Sequence, residues 1–186
     1  MLSPERIKEA KINVLTYLRD GLLKTDREYR KDILNAYIEK SDESLEVAGF
    51  LSENEISSLW ITVTSYYSMY YITNAVLYHM KYEVSGEISH KVTCDALILT
   101  CDALIHLVRG KLKNNLIEEF EDAQDEALQL TNPEEVDDII LTLDYERKKR
   151  SKFQYEMDVE IKHSRAKTSF ERAKVFNLEM NKLLIN

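Results

Sequence analysis

The side chains best suited to holding a phosphate group lie in one short run, Arg147, Lys148, Lys149, Arg150 and Lys152, in a chain whose formal net charge is −8. Val136, Ile140 and Leu143 recur at helical steps, and continuing those steps reaches Arg147, Arg150 and Gln154. A face that begins apolar therefore turns basic in register. Guanidiniums placed there can grip phosphate through paired, charge-assisted hydrogen bonds, with Lys148 and Lys152 adding point charges. The same spacing also fits a helix that overshoots its core and projects its arginines into water, the usual fate of a charge run.

Histidines offer a second kind of chemistry. Two of them occur as Glu-x-x-His, at Glu87 to His90 and Glu160 to His163, the form used by di-iron helical bundles. Such a site also needs an inward carboxylate from each of two other helices, and the long aromatic helix offers none between Glu55 and Glu83. Capping and surface hydrogen bonding account better for both, with His79 and His106 at surface or half-buried positions, so no metal or other cofactor is expected. Cys94 and Cys101 stand two helical turns apart, too distant for a mutual disulfide, and without a CxxC they build no thiolate zinc site. No glycine-rich phosphate loop, Gly-x-Ser-x-Gly elbow or His-Glu-x-x-His occurs, which removes the common hydrolase and nucleotide-fold readings.

The elements that must position these groups read as helices. Four glycines and two prolines in 186 residues leave little punctuation for sheets, and the length suits one domain. Ser3-Pro4-Glu5 opens a first helix. The capping box Thr25 to Glu28 opens a second, antiparallel to the first and ending at Gly49. A further box, Ser52 to Glu55, opens the longest patterned helix, with Trp60, Val63, Tyr67, Tyr70, Tyr71, Leu77 and Tyr78 at three-to-four-residue steps. Aromatics at that spacing are core first, while Tyr66 and Tyr70 are placed where an interface would find them. A hinge from Tyr82 to Gly86 leads to a helix from about Ser89 to Gly110, then an acidic helix over about Leu112 to Leu130, another from Asn132, and a last one from about Ser164. The segment Glu118 to Asp138 is acidic without a single Lys or Arg. No apolar run approaches the ~20 residues of a membrane span, and the first residues do not read as a signal peptide, so the expected location is cytoplasmic.

Ser65-Tyr66-Tyr67-Ser68-Met69-Tyr70-Tyr71, then Ala75-Val76-Leu77-Tyr78, a hinge and Ser89-His90-Lys91, resembles the aromatic helix and Ser-His-Lys turn of HEPN-domain proteins, closest to their stand-alone prokaryotic branch. Leu143-Asp144-Tyr145, continuing through Arg150 to Tyr155 and on to Ala173-Lys174-Val175-Phe176, is similar to that branch's Arg-containing segment and closing helix. The resemblance implies a single all-α domain over 1–186, a bundle of four to six helices with an up-and-down core over about 52–186 and an N-terminal hairpin over 3–49. It also implies homodimerisation, association with RNA or nucleotides, and partnership with a minimal nucleotidyltransferase in a toxin–antitoxin type of system. Ser65, Tyr67, Tyr71 and His90 are the further family-matched positions.

Active ribonucleases of the family carry an Arg followed four to six residues later by a His. Here Arg150 is followed by Tyr155. Arg150 can stabilise a phosphorane, but a tyrosine with a pKa near ~10 is a poor base at neutral pH. Five residues of unbroken helix also turn the two side chains about 140° apart. The leading expectation is therefore a binding module engaging RNA or the nucleotidyltransferase around Arg147, Arg150 and Tyr155, with Tyr155 itself a possible target of nucleotide transfer. Two others stand beside it: an active metal-independent ribonuclease using Arg150 with Tyr155 or a histidine brought in from elsewhere, and a structural helical adaptor in which the basic cluster pairs with the acidic segment.

Overall fold

The computed structural model describes residues 4–25, 28–86, 89–98, 142 and 163–185. Within them the chain is an all-α bundle of five helices with one minute β-ribbon. Helix α1 spans Pro4–Arg19, with Pro4 at its first position, Glu5 in the first turn and Arg19 in the last, as the helix dipole favours. Strand β1, Leu23–Lys24, pairs antiparallel with β2, Glu83–Val84, with Leu23 opposite Val84. Helices α2 and α3 span Lys31–Glu53 and Ser58–His79; α4 comprises residues 89–98, and α5 spans His163–Ile185.

Helix α3 is the axis of the bundle. Ile61, Met69, Ile72, Ala75 and Leu77 are all fully buried, and they point in several directions around the helix. A helix apolar on every side must be surrounded, and α2, α4 and α5 do the surrounding. Helix α2 offers α3 a heptad of mostly small groups, Leu34, Ser41 and Ala48 with Ser52 beyond, which lets the two backbones approach closely. Helix α5 brings Ala166, Ala173, Phe176 and Met180 to the same core.

A layer of polar groups crosses this core. The Ser41 hydroxyl donates to the Ser68 carbonyl and the Ser68 hydroxyl donates to the Ser41 carbonyl, both at 2.8 Å. Asn177 of α5 closes the layer: its Nδ2 donates to the Ser68 hydroxyl, and its Oδ1 lies 3.2 Å from the Ser41 hydroxyl. Every hydroxyl and amide of the triad thus has a partner, the condition for tolerating polar groups in a core.

Several boundaries differ from the sequence expectation. Gly49 does not end α2; it lies inside the helix, where Phe170 of α5 comes so close that an added Cβ would sit 3.1 Å from its ring. The Ser52 to Glu55 box does not open α3 either. Ser52 is buried at the end of α2, and Ser57 caps α3 by accepting the Trp60 amide, with Glu55 and Ser57 both in left-handed backbone. Trp60, expected inward, is 57% exposed, while its neighbour Ile61 is fully buried and takes the inward position. Tyr66, expected outward, is fully buried. The expected hinge contains β2, which no periodic signal could have announced in two residues. Among the described residues no helix is long and apolar enough to cross a membrane.

Candidate functional site

His90 lies in the first turn of α4, and its ring is set among tyrosines of α3. Its Nδ1 is 2.6 Å from the Tyr66 hydroxyl, and its ring centroid is 4.2 Å from that of Tyr70 and 5.8 Å from that of Tyr67. The tyrosines also pack on one another: Tyr66 meets Tyr67 edge-on at 5.7 Å, Tyr67 lies 5.9 Å from Tyr71, and Tyr70 lies 5.4 Å from Tyr71. Helical spacing produces the cluster, since residues three and four apart share a face and adjacent ones flank it. The Tyr66 hydroxyl and His90 Nδ1 share one hydrogen bond, whose direction follows the imidazole tautomer.

Burial grades across the cluster. Tyr66 is 1% exposed, whereas Tyr67, Tyr70, Tyr71 and His90 are half-buried, so the rings form a wall with one accessible edge. Burial, followed by the neighbouring Tyr67 and Tyr70, raises the Tyr71 phenol above its ordinary pKa and holds it neutral. The Lys40 ammonium of α2 stands 5.6 Å from the Tyr71 ring centroid, an arrangement in which the ring face attracts the cation. Such an edge offers π-faces, a nearby cation and an imidazole, groups that suit a nucleobase and its phosphate.

Of the positions singled out by the sequence resemblance, Tyr67, Tyr71 and His90 are brought together here, and Ser65 lies fully buried on the same helix with its hydroxyl unpartnered among the described residues. Arg147, Lys148, Arg150, Lys152 and Tyr155 lie outside the described residues, as do the acidic segment, Cys101, His106, Glu87 and Glu160. His90 was expected as a cap or surface group and is instead a ring-packed partner of Tyr66. His79 is half-buried, with Nδ1 unpartnered among the described residues, and His163 opens α5. Among the described residues no three His, Cys, Asp or Glu side chains converge to hold a metal ion.

One buried acid escaped the sequence reading. Asp95 is fully buried in α4, where it accepts the Tyr17 hydroxyl at 2.9 Å and the Asn13 amide at 3.0 Å, tying α4 to α1. Its signal was a single carboxylate inside the otherwise uncharged run Val92 to Leu99. Cys94, beside it, is a buried thiol. Comparison of the chain with family models, with curated proteins and with solved structures finds no match.

Proposed function

We propose that this chain is a HEPN-like RNA- or nucleotide-associated binding module, acting as a homodimer and as the partner of a minimal nucleotidyltransferase in a toxin–antitoxin type of system. One observation carries the reading: His90 of the Ser-His-Lys turn packs against Tyr66, Tyr67 and Tyr70 of the aromatic helix. Two segments that carry the resemblance, 24 positions apart at the Tyr66–His90 bond, thereby form one cluster with an accessible aromatic edge. The basic run Arg147 to Lys152 supplies the charge that such a module needs in an acidic chain.

The test is binding of a fluorescent single-stranded RNA to the full chain at low and moderate salt, beside Arg150→Ala and Tyr70→Ala variants. Retention that weakens with salt and in both variants supports the module. Cleavage of total cellular RNA in the presence of chelator, lost in Arg150→Ala, would replace it with a ribonuclease. Absence of both binding and cleavage would leave only the adaptor. For the partner, a nucleotide-sized mass increase on Tyr155 after incubation with the nucleotidyltransferase and ATP is the expected result.

A further inference from the structure

The turn between α2 and α3 carries large apolar side chains that face water. Val47 and Phe50 stand one turn apart on α2, Ile56 lies in the turn, and Leu59 and Trp60 occupy the first turn of α3. All five are exposed, Phe50 by 61% and Trp60 by 57%. The backbone beneath them is pinned. The Ile56 amide donates to the Leu51 carbonyl at 2.9 Å, the Asn54 side chain donates to the Phe50 carbonyl at 2.8 Å, and Glu55 and Ser57 hold left-handed backbone at φ 55° and 46°. Apolar groups gathered in this way, rather than scattered singly, mark a contact surface.

The border of this surface is acidic. Glu39, Glu43, Glu46, Phe50 and Glu53 follow one another at steps of four and three, so four carboxylates and the phenyl ring share one outward row of α2. All four acids are exposed, and none has a hydrogen-bonded or ion-paired partner among the described residues. From Glu39 to Trp60 there are six acids and one cation, Lys40, whose ammonium faces the Tyr71 ring. Lys167 of α5 approaches Glu55 at 3.7 Å, in the turn and outside that row.

Charge decides what fits. A second copy related by a two-fold axis through this surface would bring the acidic row against itself, and a phosphate backbone or an anionic lipid surface would be repelled in the same way. A helix with apolar residues on one face and lysines or arginines flanking them satisfies both halves of the surface, and aromatic side chains such as Trp60 are frequent anchors of such contacts. We propose that the α2–α3 turn docks a basic amphipathic helix of a partner protein. Its apolar face lies on Phe50, Leu59 and Trp60, and its cations pair with Glu43, Glu46 and Glu53. This surface does not depend on the nucleic-acid reading.

Trp60 is the sole tryptophan, so its fluorescence reports on this surface alone. The probe is a synthetic helix-forming peptide of leucine and lysine with its leucines on one face, added to the full chain. Beside it are a scrambled peptide of the same composition and a version with glutamate in place of lysine. In the free chain acrylamide is expected to quench Trp60 freely. The patterned peptide is expected to shift the emission saturably to shorter wavelength, with the scrambled peptide at least about tenfold weaker and the glutamate version inert. Phe50→Ser is expected to weaken binding about tenfold and Glu46→Lys about threefold or more, both at exposed positions where the fold is kept. Glu5→Lys, the same change of charge at an exposed position of α1, is expected to leave binding unchanged. Shielding of Trp60 from acrylamide in the free chain, or a blue shift that grows with protein concentration in the absence of peptide, overturns the proposal. So does an equal response to the scrambled peptide, indifference to Phe50→Ser, or a loss in Glu5→Lys equal to that in Glu46→Lys.

Discussion

The bond between Tyr66 and His90 is the most informative single contact, because it joins two helices through a buried hydroxyl and fixes an imidazole. Tyr66→Phe keeps the ring and removes that bond, so urea unfolding is expected to show a loss of about 1 kcal/mol with an unchanged m-value. The nitrogen resonances of His90 are expected to change in the same variant as Nδ1 loses its partner. Asn177→Ala is expected to cost more, about 2–4 kcal/mol, since it strips one partner each from Ser41 and Ser68 and leaves a cavity. Tyr37 contributes to the alkaline limit, as Tyr71 does. Its pKa is raised in the folded state, so its contribution is complete below the unfolded value near ~10 and is lost as pH rises through the folded one. Chemical denaturation at roughly pH 9 and pH 11 is therefore expected to show a smaller fall for Tyr37→Phe than for the natural chain.

Helix identity was legible from periodicity, and helix ends were not. The patterned segments around Ile33 to Leu51, Leu59 to Tyr78 and Ala166 to Met180 are helices because their apolar steps match the surfaces they meet. Stop and start signals are weaker, each about 1 kcal/mol, and burial overrides them. Gly49 is an example: it reads as a helix terminus, yet α2 runs through it because its missing side chain makes room for Phe170. Gly49→Ala is expected to raise the melting temperature slightly, as the gain in helix propensity approaches ~1 kcal/mol and the tip of the half-buried Phe170 ring can yield a few tenths of an ångström. Gly49→Val, with two more methyl groups against the same ring, is expected to lower it. The His90 cluster was half legible. Sequence named Tyr67, Tyr71 and His90 through resemblance, but only the packing of α4 on α3 reveals that Tyr66 is their buried anchor.

At the scale of the whole molecule, a net charge of −8 means that any RNA contact must be local and few in number. Arg147, Lys148, Arg150 and Lys152 acting together on a single strand predict a log–log salt slope of about −3, reduced by about 0.7 for each cation removed. A steeper slope would require cations from elsewhere or from a second copy. The polar layer of Ser41, Ser68 and Asn177 has a consequence in time as well as in space. Asn177 is translated 109 residues after Ser68, and at about 5–20 residues per second that interval lasts roughly 5–20 s. Throughout it the nascent α2–α3 pair can close its two serine bonds but not the amide that completes them. The seam between α2 and α3 is thus completed by one of the last side chains to be made.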